Sequence, residues 1–334
     1  ERQFVQVISL LDLHAHMKPY RWQGKGRKRK DRMSIAKAFI AKAVYNFETT
    51  DILIESLHGC KNLRRLCGWE YRFNIPSSST FSRGFAEFSK GRLMQTIHEA
   101  MIKRYYGDKL AGHISRDSTA IVAREKPAKK KARPHLPKRK PGRPKKGTKV
   151  VPRPPRRMDI QATRTLAENL HDLPGECDVG SKKNSKGYIE TWTGYKLHMD
   201  CIDGDIPVSA ILTSASLHDS QAAIPLAQMS RERITNLYDL MDSAYDAWQI
   251  YHFSNRLGHK PIIDHNPRRG KKRYMDPPTR KRFGQRSSVE RVNGCLKDSH
   301  GGRNVRVKGA AKVMTHLMFG IIVITVNQLF RLLL

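Results

Sequence analysis

Acid is what this sequence has little of. Its 334 residues carry 30 Asp and Glu against 63 Lys and Arg, a formal net charge of +33. That balance argues against an ordinary enzyme of small metabolites and for a polyanion partner, nucleic acid first. Cysteine is scarce too. Cys60, Cys67, Cys177, Cys201 and Cys295 are scattered, with no CxxC pair and no Cys/His finger spacing. This excludes a disulfide framework and a structural zinc, and leaves reduced thiols as the expectation. Only one long uncharged apolar run exists, residues 313–330, between Lys312 and Arg331. Thr315, His316, Gly320, Thr325, Asn327 and Gln328 interrupt it, so it reads as a buried core helix and not a membrane span. No signal peptide is read at the first residues, which lack an initiating Met. With 39% hydrophobic residues the chain can still build real cores, as one large domain or two to three smaller ones.

What is abundant is unevenly placed. Residues 124–157 hold 16 Lys and Arg, one acid (Glu125) and eight of the 17 prolines. That stretch alone is +15, and no helix or central strand is expected to survive its proline density. It reads as an extended basic arm. Lesser basic runs lie at 25–32 and 268–282. Within the arm, Lys138-Arg-Lys-Pro141-Gly142-Arg143-Pro144-Lys145-Lys146 resembles an AT-hook. Such a Gly-Arg-Pro core slides Arg143 into the minor groove of A·T-rich DNA, with Lys145 and Lys146 on phosphates. The alternative is a solvated basic linker with no groove preference.

Before the arm, the pattern is helical. Ile35, Phe39, Ile40, Ala43, Val44 and Phe47 recur at helical spacing. Asp51 is placed to cap a helix ending at Gly59, and a short helix with Leu63, Leu66 and Cys67 stops at Gly68. After Pro76 a serine can cap a helix running to about Ser89 and carrying Arg83. Residues 1–106 therefore read as an all-helical DNA-binding domain, helix-turn-helix-like, although a plain helical bundle fits the pattern equally. Beyond it the rhythm changes. Strands are expected at 113–122, 194–202, 206–214, 236–242 and 260–264, with helices at 219–234, 246–257 and 286–298 and the apolar helix last. The order β, β, β, α, β, α, β, α predicts an α/β domain over 107–334: a mixed sheet flanked by helices and interrupted by the arm.

In a chain starved of acid, acids on strand ends stand out. Asp117 lies within the first strand, Asp242 ends the fourth, and Glu290 lies on the helix 286–298. Buried strands do not place aspartates without a partner. Three converging carboxylates would make an oxygen-ligand site for hard divalent cations and support phosphodiester chemistry. Each has a rival. Asp242 could be a turn residue, with Asp239 or Asp246 the ligand instead, although Asp246 reads better as a helix cap. Glu290 could merely pair with Arg286 or Lys297. Asp219 reads as a helix N-cap and His218 as a satisfied polar residue. Trp248 reads as core in preference to a receptor for a flipped base.

The segments also carry a resemblance. Phe283-x2-Arg286-x3-Glu290-x6-Lys297 resembles the Tyr-(2)-Arg-(3)-Glu-(6)-Lys signature of a large group of DDE transposases of bacterial insertion sequences, with Phe in place of Tyr. Arg116-Asp117-Ser118-Thr119 and Leu240-Met-Asp242-Ser-Ala-Tyr245-Asp246 are similar to that family's first and second aspartate motifs. So are Gly194-Tyr-Lys-Leu-His198, Leu217-His-Asp-Ser220, Leu66-Cys-Gly68 and Ile75-Pro-Ser-Ser-Ser-Thr-Phe81 to other family segments. The resemblance implies a ribonuclease H-like catalytic domain in which Asp117, Asp242 and Glu290 are the catalytic, metal-binding triad for two Mg2+ or Mn2+ ions. It implies cleavage at terminal inverted repeats and joining of 3′ ends to target DNA. Arg286 and Lys297 would grip DNA phosphates, with Phe283 stacking on sugar or base. A homodimer on paired double-stranded DNA ends, no membrane, and a bacterial cytoplasmic, nucleoid-associated location follow from the same resemblance. Only about 20 residues separate Asp264 from Arg286, where some hairpin-forming members carry a large insertion. That departure leaves the second-strand route open. Two other readings stand beside it: a catalytically inactive DNA-binding or architectural relative, and an RNA-binding protein or ribonuclease.

Overall fold

The computed structural model describes residues 1–17, 22–26, 29–129, 142, 155–183, 186–268 and 270–332. Seven helices come first: α1 (Arg2–Leu10), α2 (Leu13–His16), α3 (Arg32–Val44), α4 (Thr50–Gly59), α5 (Lys61–Cys67), α6 (Ser78–Lys90) and α7 (Leu93–Tyr106). Local chemistry sets their ends. Asp31 accepts from the backbone N–H of Met33 (3.1 Å) and Ser34 (2.8 Å), capping α3. Thr49, not Asp51, caps α4 by accepting from the Ile52 N–H; Asp51 sits within the first turn. Gly68 ends α5 with φ +105, a left-handed closure that a side chain would resist. Pro76 precedes α6 as expected, but the hydroxyl of Ser77 faces Ser79 and Thr80 and caps no backbone N–H.

The sheet follows: β1 (Leu110–Val122), then α8 (Arg157–Gln161), α9 (Leu166–Asp172), β2 (Asp178–Lys183), β3 (Ile189–Ile202), β4 (Ile206–Ser214), α10 (Ser220–Arg231), β5 (Thr235–Met241), α11 (Trp248–Arg256), β6 (Lys260–Ile263), α12 (Pro277–Phe283), α13 (Ser287–Ser299) and α14 (Ala310–Leu332). The strands run in the order β2-β3-β1-β5-β6, with β4 also on β3. β1 is central, antiparallel to β3 and parallel to β5. β3 is long enough to serve two partners: its first residues pair with β2 and its later ones with β4. The β3–β4 hairpin turns at Gly204 and Asp205, both with positive φ. The five expected strands are present; β2 is an addition.

α10, supported by α8, α9 and α11, covers one face of the sheet, and α13 with α14 covers the other. α14 is apolar and 23 residues long, the one described helix that by length and composition could cross a bilayer. It is instead mostly buried, packed on β4, α3, α6, α7 and α13, which agrees with the core reading. Phe319 of α14 meets Phe39 of α3 (5.7 Å between ring centroids) and Phe85 of α6 (6.1 Å). One apolar cluster therefore continues from the N-terminal helices into the sheet.

The basic stretch is more ordered at its ends than its composition suggests. Glu125 accepts from the Tyr195 hydroxyl and from the Gly309 N–H (3.1 Å), while Ala128 N–H bonds Cys177 O. On the far side, Asp159 accepts from Arg156 N–H and from Gln249, and Arg157 pairs with Asp172. Arg143, Lys145 and Lys146 of the AT-hook-like segment lie outside the described residues.

Candidate active site

Parallel pairing of β1 with β5 sets the site. Arg116 stands opposite Met241, so the next step of the same register brings Asp117 beside Asp242, immediately past the end of β5. Strand alternation then separates two jobs. Arg116 turns to the α10 face, where it is 1% exposed and makes two 2.7 Å bonds to Asp200, which also accepts from Ser230. Asp117 turns to the opposite face, under α13. Its Oδ1 lies 3.9 Å from Arg286, and Asn293 Nδ2 approaches its Oδ2 at 3.5 Å. Asp242 Oδ1 accepts from Ala244 N–H at 2.9 Å, which closes the 3-10 turn Ser243–Tyr245.

Burial pushes the Asp117 carboxyl up to about 7; Arg286 pulls against this, and Asp242 and Asp219 push further. Asp242 is raised as well, by burial first, with the Ala244 N–H and Arg286 opposing and Asp219 and Asp264 adding to the rise. Two desolvated carboxylates, each raised further by neighbouring acids, make an electrostatic well for a cation, and their oxygen donors suit a hard divalent ion. Tyr245 is fully buried beside them, with no partner for its hydroxyl, and its ionisation is suppressed by burial and by Asp219, Asp117 and Asp242.

The remaining expected residues fall around this pair in different ways. Glu290, on the first turn of α13, is half exposed and ion-paired with Arg286, the same guanidinium that lies 3.9 Å from Asp117. Among the described residues no three His, Cys, Asp or Glu side chains are gathered closely enough to hold a metal. The helix expected over 286–298 is present as α13, Ser287–Ser299, and a separate turn and helix lead into it. α12 ends at Phe283, a 3-10 turn spans Gly284–Arg286, and α13 begins only at Ser287. Phe283 is thus on a separate helical piece, with the Arg286 guanidinium 5.9 Å from its ring centroid. Lys297 is half-buried, its ammonium lowered by burial and by Lys182 and Arg303. Arg83 is exposed on α6 and bonds Thr80 Oγ1 at 3.3 Å.

The rival residues each have a definite place in the structure. Asp239 is buried on the Arg116 face with Asn236 (3.0 Å) and His259 (3.4 Å), a structural counter-charge. Asp246 caps no helix; it accepts from Asn266 N–H (2.9 Å), and α11 starts after Ala247. Asp219 precedes α10 but makes no capping bond; it pairs with Lys196 at 2.9 Å and its charge reaches both aspartates. His218 is satisfied by Ser220. Trp248 is 69% exposed, so it is not core: it opens α11, whose apolar face is carried instead by Ile250 and Phe253. Asn293 was not singled out from the sequence, although it follows Arg286 by seven residues and Glu290 by three, on one helical face.

A mixed sheet with one aspartate within its central strand and a second just past the end of the parallel neighbour, and helices on both faces, is a ribonuclease H-like nucleic-acid-processing domain. The profile of a family described as a transposase DDE domain matches residues 113–326, and that of a second, described as a transposase domain, matches residues 2–87. The chain belongs to the DDE transposase family. No curated protein matches it. Its role is that of a DNA transposase, a DNA-binding enzyme of the DNA-cleaving and strand-transfer class, in a family that generally uses divalent metal ions.

Proposed function

We propose that this transposase cleaves DNA at the terminal inverted repeats of an insertion sequence and joins the freed 3′ ends to target DNA. The adjacency of Asp117 and Asp242, raised by burial and by neighbouring carboxylates, carries the reading. Asp117, Asp242 and Glu290 would hold two Mg2+ or Mn2+ ions, which when bound supply Lewis acidity for activating water or a 3′-hydroxyl. Arg286 lies 3.9 Å from Asp117, is ion-paired with Glu290 and lowers the Asp242 carboxyl, so its charge is shared among all three acids. Arg286 and Lys297 would contact DNA phosphates, with Phe283 against sugar or base. Arg143, Lys145 and Lys146 serve as an AT-hook-like anchor and Arg83 as a contact from the helical domain. A dimer on paired ends and a nucleoid-associated, cytoplasmic place complete the proposal. The departure from Tyr at Phe283 leaves membership of the Tyr-Arg-Glu-Lys group part of the proposal too.

The test is end cleavage of inverted-repeat DNA with Mg2+, comparing wild type with Asp242→Ala and Glu290→Gln. Cleavage by the wild type, and a loss of at least 100-fold (about 2.7 kcal/mol) in both variants, is expected. Equal cleavage by all three proteins would sink the assignment. Equal DNA affinity with no cleavage by any of them would favour an inactive DNA-binding relative.

A further inference from the structure

A cavity of about 560 Å³ lies away from the aspartates. It lies between the N-terminal helices, the end of β1 and the segment leading into α14. Lys42, Arg124, Arg306, Lys308 and Lys312 line it, against only Glu48 and Asp51. None of Arg124, Arg306, Lys308 and Lys312 forms an ion pair among the described residues, and neither do the two acids. Lys42 is the buried member: it donates to Phe47 O (2.7 Å) and Glu48 O (3.2 Å). The starts of three helices, α4 through Thr49 and Thr50, α6 through Ser78 and α14 through Lys312, also line this space. Their positive dipole ends and unbonded N–H groups add to the cationic field.

We propose that this cavity is an anion site that takes a backbone phosphate of bound DNA at the root of the basic arm. Like charges held together without counter-ions are costly unless an anion completes them, and the surplus here is three cations over acids before the helix dipoles are added. Burial, with Arg306 assisting and Glu48 opposing, pulls the Lys42 ammonium down to about 8. His316, also on the wall, is held neutral by burial near about 4, so the positive field comes from Lys and Arg and persists at neutral pH. Location favours DNA over a free anion. Arg124 lies where the chain leaves β1 for the arm, so a duplex held by the arm passes this wall. The inference rests on DNA being the substrate, but not on the cleavage chemistry.

The test is binding of an inverted-repeat duplex in EDTA across a salt series, with a double variant Arg306→Ala/Lys308→Ala and a charge-neutral block, Ser82→Trp, placed on the cavity wall. All three altered residues are exposed, so the fold is expected to persist. The salt slope should fall by about 1–2 in the double variant and by about 1 in the blocked variant, as phosphate contacts are lost. A fall in the first without the second would place the contact outside the cavity and overturn the site. Unchanged slopes in both, with inorganic phosphate raising the melting temperature of the wild type alone, would establish the anion site but overturn DNA as its ligand. Unchanged slopes and no phosphate effect would overturn both. If the wild type itself bound DNA without salt dependence, the DNA-based reading of the protein would fall first.

Discussion

Asp117 and Arg116 are neighbours in sequence and opposites in energetics. Arg116 is buried with its counter-charge in place, through two bonds to Asp200. Removing one partner of such a pair strands the other, whereas the pair itself adds little net stability. Asp117 has no such settlement: Arg286 stands 3.9 Å away and carboxylates press from Asp242 and Asp219. Its folded pKa of about 7 lies above the ordinary 3.8, so between those values the folded protein holds a proton that the unfolded chain has released. Stability from this residue is therefore lost as pH rises through that window, and the full penalty applies above it. Asp117→Asn, without divalent metal, should melt a few degrees above the wild type at about pH 8, with the gap closing toward about pH 4. Added Mg2+ should narrow the gap at the higher pH, by stabilising only the wild type. A gap independent of pH would show that burial of this carboxylate is not what the wild type suffers.

At the scale of elements, α13 and α14 hold the face on which Asp117 lies. They approach so closely at Gly320 that an added Cβ would stand 2.5 Å from His300 O and 2.6 Å from Leu296 Cδ1. Helix propensity alone favours alanine over glycine by about 1 kcal/mol. Here the contact with backbone oxygen should win, so Gly320→Ala is expected to lose about 1–3 kcal/mol in urea denaturation. A stabilised variant would mean that the two helices are farther apart. Much of this architecture was legible in sequence. Alternation exposed β3 and β4, and the Asp203-Gly204-Asp205 turn joined them. The polar interruptions of 313–330 told core from membrane. β2 was hidden because Asp178-Val-Gly-Ser-Lys-Lys183 neither alternates nor buries a face, apart from Gly180. α9 lies beyond the basic arm, in a stretch to which no element is assigned from sequence, although Thr165 and Glu168 cap it reciprocally, a pattern readable from spacing. Asp117 and Asp242 could be found because acids in buried strands are rare. Asp219 and Asn293 could not be placed by that rule, since their approach to the pair depends on how α10 and α13 seat on the sheet.

For the whole molecule, charge and stability are carried by different parts. Residues 124–157 hold +15 of the +33, leaving +18 for the other 300 residues. Yet both ends of this basic stretch are bonded into the folded body: Glu125 to Tyr195 and Gly309, and Asp159 to Gln249. Residues 130–154 carry 11 Lys and Arg and only four apolar side chains, Ala132, Leu136, Val150 and Val151, a composition suited to DNA contact and not to core formation. Replacing residues 130–154 with a Gly/Ser segment of equal length should therefore leave the melting temperature of the free protein unchanged. The same replacement should weaken binding to every duplex, because phosphate contacts carry no sequence information. If the arm neutralises ~8 phosphates, the slope of log K against log salt should become shallower by about 7. An A·T-rich duplex should lose more affinity than a G·C-rich one if Arg143 enters the minor groove, and equally if the arm is only a basic tether. A slope that survives the replacement would move DNA recognition onto the folded body, whose own +18 would then have to account for it.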